Sequence, residues 1–313
     1  MYFPYLRAKL FELKALKEFF QEHSDEQRII PVLEPVNDSY SALQSALIYF
    51  IELRKQFALV MNPELGDFGH ASVAFKFPTE HPEIVHNSDC IPAFIVDENS
   101  VGIIDKLADY PERSVMLIFQ KGADIGKEVV KNLVDSPKTK IILCPFDKSP
   151  RRTKSYLLGL GKTIVTFEDR FKEQRRNADY LKDEDESFSE AFKYYAEDNY
   201  QGFADYTALP SSFTGEGMLP YALAIHLTYL LSEDQIYIHH FVSDSNRDQS
   251  NIRGKFFEAA SKVVAFYANG RYKTPSVEEI IRRAGSETGF PGLGYLKKLS
   301  IKNHLELIHH LLG

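Results

Sequence analysis

The stretch IPAFIVDE (Ile91–Glu98) decides the fold, because six apolar residues run without interruption and stop at two carboxylates. Continuous apolar runs of about six residues are typical of parallel strands that are buried on both faces. The chain contains six further runs of this kind: IIPVLE (Ile29–Glu34), FALVMN (Phe57–Asn62), SVMLIFQK (Ser114–Lys121), KIILCPFD (Lys140–Asp147), KTIVTFED (Lys162–Asp169) and GFADY (Gly202–Tyr206). The segments between them have the length of helices, which indicates repeated βα units.

The number of strands favours a barrel. Candidate strands begin near residues 29, 57, 91, 114, 140, 162, 202 and 235, at intervals of 22 to 40 residues. With an opening strand at Tyr2–Arg7 the total is nine, one more than a (β/α)8 barrel needs. Either Gln235–Val242 is an additional strand or one of the earlier assignments is wrong. We predict an α/β fold of the TIM-barrel type, with an open doubly wound parallel sheet as the alternative.

The barrel is expected to occupy residues 1–250, followed by a helical C-terminal extension over residues 251–313 that packs on it. Two segments interrupt the βα spacing. Residues 62–87 are rich in Gly, His and Pro and are compatible with a small hairpin. Residues 169–190 are basic in their first half and acidic in their second. Long insertions of this kind are commonly functional lids or disordered loops.

Composition narrows the function classes. The 313 residues carry a net charge of −7, which argues against broad electrostatic binding to nucleic acid but allows a local basic patch. The two cysteines, Cys90 and Cys144, lie in or beside apolar runs and are expected to be buried, reduced thiols. Neither a secretory signal nor an apolar run of eighteen residues is evident. We therefore expect a cytoplasmic protein without membrane association.

Polar residues at the strand ends are the first candidates for chemistry, since ligands of parallel α/β folds bind at the carboxyl ends of strands. Glu34, Glu168 and Asp205 follow or end apolar runs and are candidate catalytic residues and Mg²⁺ ligands, with Arg7 and Lys121 on a phosphate. The alternative is that these residues have no role in function, since the strands of any α/β sheet end in polar residues and opposite charges at those ends then pair.

Basic residues form the second candidate group. One cluster, which includes Arg151, follows the run ending at Asp147, and another follows the run ending at Asp169. A phosphorylated ligand or a nucleic-acid end suits such a patch. The alternative is salt bridging with the acidic run at residues 183–186. The candidate ligand-binding residues are Arg7, Lys9, Asn62, Lys121, Arg151, Arg170, Arg175, Arg176 and Tyr206.

Histidines and short motifs give little support to other mechanisms. In a strand, His239 and His240 would point to opposite faces, and a buried core histidine is the simpler interpretation. The sequence contains no GxSxG, CxxC, HExxH or Walker A motif. Nucleophilic and zinc-dependent mechanisms therefore have no support.

The N-terminal region resembles the bacterial and phage "beta family" proteins. The matching residues are Tyr2, Pro4, Leu6, Arg7, Glu12, Ala15, Leu16 and the segment PVLEP (residues 31–35), with GFADYT (residues 202–207) later in the chain. The resemblance implies a barrel-like fold of largely uncharacterised activity. It also implies a role in a two-component antiphage defence or mobile-element module, because the neighbouring gene in the most similar branch often encodes a PD-(D/E)XK nuclease-like protein.

Two functional hypotheses remain open. The first is a binding or partner protein that recognises a phosphorylated ligand, a nucleic-acid end or a nuclease-like partner at the strand-end rim. The second is a Mg²⁺-dependent phosphoester hydrolase that uses the rim carboxylates. Carboxylates grouped around one ion would favour the enzyme, whereas carboxylates paired with arginine would favour the binding protein.

Overall fold

The computed structural model describes residues 1–70, 72–110, 113–213, 215, 219–286 and 289–313. The strands are β1 (Tyr2–Leu6), β2 (Val32–Leu33), β3 (Phe57–Val60), β4 (Cys90–Ile95), β5 (Val115–Ile118), β6 (Thr139–Cys144), β7 (Thr163–Glu168), β8 (Asp185–Ser189), β9 (Gly202–Asp205), β10 (Ala224–Ser232) and β11 (Gln235–Val242). The α-helices are α1 (Leu10–Glu22), α2 (Ser41–Glu52), α3 (Phe77–Glu80), α4 (Pro82–Val85), α5 (Ile103–Lys106), α6 (Glu128–Asp135), α7 (Arg151–Leu158), α8 (Ala191–Tyr194), α9 (Ile252–Tyr267), α10 (Pro275–Ala284) and α11 (Leu293–Leu312). Short 3₁₀ helices cover Gly66–Gly69, Leu107–Asp109, Phe146–Lys148 and Asn177–Lys182.

Eight parallel strands close into a barrel in the order β1-β2-β3-β4-β5-β6-β7-β9. The predicted TIM-barrel-like α/β fold is thereby confirmed, and the open sheet is excluded because β1 pairs with both β2 and β9. The apolar runs explain the closure, since every residue of β3, β4, β5 and β9 is buried. Strands with two apolar faces are stable only where one face lines a filled interior and the other is covered by helices.

The barrel belongs to the first of two compact units, which comprises residues 1–13, 23–169 and 191–205. In the insertion after β3, the described residues between 62 and 87 contain a 3₁₀ turn and helices α3 and α4 but no strand. The expected hairpin is thus not present in the described part of this segment. Both cysteines of this unit are buried and free.

The second compact unit comprises residues 14–22, 170–190 and 206–313. It contains a three-stranded antiparallel sheet in the order β10-β11-β8 and helices α9, α10 and α11. The segment Gln235–Val242 is therefore an additional strand outside the barrel. This was the first of the two explanations given for the nine candidate strands. Residues 206–250 cluster with the C-terminal helices here, whereas the predicted boundary placed them with the barrel.

An apolar core joins the sheet and the helices of the second unit. Leu227 and Phe241 from the sheet pack with Phe256 of α9, Ile280 of α10 and Leu299 of α11. The start of α10 follows from local sequence, because the Thr274 side chain accepts a hydrogen bond from the Val277 amide and Pro275 occupies the first turn. Residues 170–190 supply the strand β8 and a 3₁₀ helix to this unit.

Candidate functional site

The inner face of the barrel is identified by a contact across it. Gln120, which follows β5, donates a hydrogen bond from Nε2 to the hydroxyl of Tyr5 on β1 at 2.8 Å. These strands are four positions apart in the closed barrel order, so Tyr5 lies inside. Partner residues of parallel strands share a face, and Tyr5 pairs with Val32. By alternation, Arg7 and Glu34 lie on the same inner face at the carboxyl ends of β1 and β2.

Arg7 and Glu34 form a buried ion pair in this position. The Arg7 guanidinium donates from Nη1 to Glu34 Oε2, and the Tyr5 hydroxyl donates to the same oxygen at 2.7 Å. Glu34 is fully buried and Arg7 is only 8% exposed. Glu34 Oε1 also lies 3.5 Å from the backbone amide of Glu64. The carboxylate is therefore matched by a cation and by further donors, as a buried charge requires.

The turn after β1 holds Arg7 in place. Ala8 adopts a left-handed backbone conformation with φ of 52°, which orients the amides of Arg7 and Lys9 toward one side. Both amides approach Glu12 Oε2, at 2.7 and 3.5 Å respectively. Glu12 is buried, so the chain's own carboxylate fills this backbone anion site. The matching residues Arg7 and Glu12 of the N-terminal motif thus have a structural role in fixing the barrel mouth.

Asn62, a predicted ligand-binding residue, is committed to the backbone. Its side chain donates to the carbonyl of Ile95 at 2.8 Å and accepts from the amide of the same residue at 2.9 Å. This double contact joins the two chain segments two residues beyond the last register pair, Val60 and Ala93, at the carboxyl end of the barrel. Asn62 therefore acts as part of the barrel wall, with one donor and one acceptor position of its amide group used by the backbone of Ile95.

Glu64, Asp97 and Lys121 form a charged group near the same end of the barrel. Burial and the nearby charge of Asp97 raise the pKa of Glu64, while the charge of Lys121 acts in the opposite direction. Asp97 Oδ1 also accepts a hydrogen bond from the Asn99 amide at 2.8 Å, which stabilises the turn after β4. Lys121 is exposed and forms no ion pair with any residue that the structure describes. It is an exposed cation at the rim, and its charge acts on the nearby Glu64.

Glu168 and Asp205 lie on the other face of the barrel wall. They are register partners on β7 and β9, and Asp205 pairs with Pro4, which alternates with the inward-facing Tyr5. Asp205 is buried and accepts a hydrogen bond from the Tyr2 hydroxyl at 2.6 Å. The Tyr2 hydroxyl responds to this environment: burial and the neighbouring Asp205 carboxylate raise its pKa well above the usual range. Asp205 is thus an acceptor in the packing around the barrel.

The proposed magnesium ligands Glu34, Glu168 and Asp205 do not fit one ion site. The first faces the interior and the other two face outward, so the wall of the barrel separates them. Over the part of the chain that the structure describes, no group of three or more His, Cys, Asp or Glu side chains is arranged to hold a metal ion. No hydrolytic step through these carboxylates follows from this geometry.

The basic clusters are partly used in ion pairs. After β6, Arg152 binds Asp124 through both carboxylate oxygens, at 2.7 and 2.9 Å, while Arg151 is exposed. In the second unit, Lys172 pairs with Glu186 at 3.0 Å and Arg176 with Asp179 at 3.0 Å. The salt-bridge interpretation therefore holds for Lys172 and Glu186, the last residue of the acidic run at residues 183–186.

The remaining predicted residues of this group also belong to the second unit. Arg175 and Arg176 line a cavity of about 320 Å³ together with Asp179. Arg170 is exposed at the start of the same segment. Tyr206 is buried at the start of the third segment of this unit, directly before Thr207, whose φ of 56° is unusual for a β-branched residue.

Tyr5, Glu12 and Gln120 build the barrel mouth with Arg7 and Glu34, but none of the three is among the candidate site residues that the sequence pattern indicates. Gln120 ends an apolar run and was thus visible as a strand-end residue, whereas Tyr5 lies within the opening strand. His226 was also missed: it contacts His240, which is buried in the core as the simpler interpretation of the histidine pair predicted.

Comparison of this chain with protein-family models, with curated proteins and with solved structures gives no match. Of the helices that the structure describes, none combines the length and the apolar character needed to cross a membrane.

Proposed function

We propose that this chain is a binding protein whose strand-end rim recognises an anionic group, either a phosphorylated ligand or a nucleic-acid end. The observation that carries the proposal is the buried pair of Arg7 and Glu34. A carboxylate that is neutralised by arginine and hydrogen-bonded by Tyr5 is a fixed structural element of the mouth. This arrangement supports binding by a rigid rim and gives no support to hydrolysis at a metal ion.

Cations of the first unit supply the attraction for an anion. Lys121 follows β5 and Arg151 begins α7 after β6, the neighbouring strand of the barrel. Both side chains are exposed, and neither forms an ion pair with a described residue. Lys9 follows β1 and is half-buried. Charge-assisted hydrogen bonds from such groups to phosphate oxygens are stronger than neutral ones, and arginine can bind two oxygens at once.

The biological setting follows from the resemblance of residues 2–35 and 202–207 to "beta family" proteins. We propose that the chain acts in the cytoplasm as one component of an antiphage defence or mobile-element module and that a nuclease-like protein is its partner. The support for this setting is the resemblance; the contacts of Arg7 with Glu12 and Glu34 give these motif residues a structural role at the mouth.

Binding of a fluorescent single-stranded oligonucleotide tests the proposal. Fluorescence anisotropy compares the oligonucleotide with and without a 5′-phosphate, with inorganic phosphate as competitor. We expect tighter binding of the phosphorylated form and a loss of about tenfold in affinity for Lys121→Ala or Arg151→Ala, since a hydrogen bond to a charged group contributes about 1.5–3 kcal/mol.

Lys140→Ala is the matched control, because Lys140 is an exposed residue near the amino end of β6. Its affinity should equal that of the wild type. Equal binding by both oligonucleotides, or equal losses in all three variants, would contradict a phosphate site at the rim. Mg²⁺-dependent hydrolysis of bis-p-nitrophenyl phosphate that Glu34→Gln abolishes would show instead that the chain is an enzyme.

A further inference from the structure

Two histidines face each other in the sheet of the second unit. His226 on β10 and His240 on β11 are direct register partners, and their Nδ1 atoms lie 2.6 Å apart. One of these nitrogens must donate its proton to the other, so the contact requires one proton between the two rings. His240 is fully buried. The pair is therefore a buried hydrogen bond whose existence depends on protonation.

The segment of residues 170–182 covers this pair with two aromatic rings. The Tyr180 ring lies 4.4 Å from that of His240 and 4.9 Å from that of His226, and the Phe171 ring lies 5.2 Å from that of His226. The same segment carries Arg175, which lines a cavity of this unit. The segment thus carries both the rings that cover the pair and a residue that lines the cavity.

The charged neighbours of the pair come from several elements. On β8, Glu186 Oε1 lies 3.8 Å from His240 Nε2, while its Oε2 lies 3.0 Å from Lys172 Nζ in the covering segment. His239 is adjacent on β11 and faces the other side of the sheet, where it contacts Asp185 at 3.2 Å.

Further titratable groups near the pair come from α11 and the covering segment. His304 of α11 contacts Thr228, two positions from His226 on β10. Tyr180 faces the pair from the covering segment, and burial raises the pKa of its hydroxyl. Burial lowers the pKa of His226 to about 4 and that of His240 to about 2, with positive neighbours acting in the same direction on His240.

We propose that His226 and His240 form a pH-sensitive latch that holds the segment 170–182 while both rings are neutral and releases it when they are protonated. A proton that enters at the accepting Nδ1 converts it into a donor, so two N–H groups face each other and the hydrogen bond is lost. Protonation of His240 also sets two cations, His240 and Lys172, against the one buried carboxylate of Glu186.

The sign of the pH dependence follows from the difference between the closed and released states. In the closed state both histidines have lowered pKa values, whereas in a hydrated released state they return toward about 6.5. The released state thus binds more protons. Closure is complete above about pH 6.5 and weakens as the pH falls toward 4.

Because the sequence contains no tryptophan, the emission of one introduced tryptophan reports on a single position. Phe171→Trp introduces a single tryptophan against the pair. Its emission maximum should shift to longer wavelength between pH 7.5 and 4.5, because the ring moves into water. The shift should disappear when His226→Gln and His240→Gln are both added, since glutamine does not titrate. Adding His239→Gln instead is the matched control and should preserve it, because His239 faces Asp185.

Emission that stays constant to pH 4.5 while circular dichroism shows a folded chain would overturn the latch, as would a shift that survives when both histidines are replaced by glutamine. If the tryptophan variant does not fold, hydrogen exchange of the wild type replaces it. Protection of peptides from residues 170–182, corrected for intrinsic rates, should fall by up to about a hundredfold for each pH unit below 6.5, since each of the two histidines contributes a tenfold change in equilibrium per pH unit. Protection in β11 should be retained, and equal loss in both regions would show global unfolding and no latch.

Discussion

Glu34 and Asp205 both lie at carboxyl ends of barrel strands, yet they face opposite sides of the barrel wall. Glu34 contacts Arg7 and Tyr5 in the interior, and Asp205 accepts a hydrogen bond from Tyr2 on the outside. Side chains alternate along a strand with a period of two residues, so proximity of strand ends does not bring side chains together. The polar residues at the strand ends therefore form two separate groups. One is a hydrogen-bonded network inside the barrel mouth, and the other packs on the outer face of the barrel wall.

Replacing Glu34 by Gln should destabilise the protein by about 3 kcal/mol, because removing one partner of a buried ion pair leaves the other charge uncompensated. Glutamine has nearly the same shape as glutamate, so the loss of stability reports the missing charge and not a cavity. Urea unfolding followed by circular dichroism gives the free energy of unfolding. The matched control is Glu98→Gln, whose exposed pair with Lys127 at 3.1 Å should contribute less than about 1 kcal/mol.

The wild type and Glu34→Gln also test the hypothesis that Glu34 binds Mg²⁺. Mg²⁺ should leave the melting temperature of the wild type unchanged, since a ligand stabilises only when it binds the native state. A rise in melting temperature with Mg²⁺ that Glu34→Gln removes would contradict the structural role of Glu34. Equal free energies of unfolding for Glu34→Gln and the wild type would show that burial of the Arg7 charge does not depend on the Glu34 carboxylate.

The sequence predicted the barrel because its strands are continuous apolar runs, and such runs need burial on two faces. It did not predict the orientation of Glu34 and Asp205, since a shift of one residue in register exchanges the two faces of a strand. The strand β8 was also missed. Its sequence DESFS has no apolar run, and Glu186 is buried only through contacts with distant residues such as Lys172 and His240.

Gly66→Ala should destabilise the protein more than Gly161→Ala. Both glycines have a left-handed backbone, with φ of 63° and 65°. At Gly161 an added Cβ meets open space, so the expected loss is about 1–2 kcal/mol from backbone strain alone. At Gly66 the same atom would overlap the backbone carbonyl of Val36, which adds a steric term. Urea unfolding of both variants measures the difference in stability. Equal losses of stability would show that the loop after β3 shifts to remove the overlap at no cost in free energy.

Cys90 and Cys144 should resist thiol reagents in the folded protein. Burial raises the pKa of the Cys90 thiol to about 12 and that of Cys144 to about 11, so almost no reactive thiolate is present at pH 8. Iodoacetamide followed by mass spectrometry should find neither cysteine modified without denaturant and both modified in urea. Ser88→Cys, at an exposed position beside Cys90, provides a reactive control. Rapid native modification of Cys90 would indicate that the start of β4 opens.

Lys298 and Glu18 should show strong energetic coupling in a double-mutant cycle. Lys298 Nζ lies 2.7 and 2.5 Å from the two carboxylate oxygens of Glu18, and the lysine side chain is only 1% exposed. Its ammonium group also lies 3.6 Å from the centre of the Tyr295 ring. Glu18→Gln should cost more than Lys298→Met, because it leaves a buried cation with the ring as its main partner, whereas Glu18 without its lysine is 38% exposed and can be hydrated.

The expected coupling energy between Lys298 and Glu18 is about 2 kcal/mol, within the range measured for residues in direct contact. The exposed pair of Lys131 and Asp135 on α6 is the matched control and should couple much more weakly, since solvent screens it and both side chains lose conformational freedom. Urea unfolding of the four proteins in each cycle gives the two coupling energies. If they are equal, burial does not strengthen the contact, and the attachment of residues 14–22 to α11 depends on apolar packing alone.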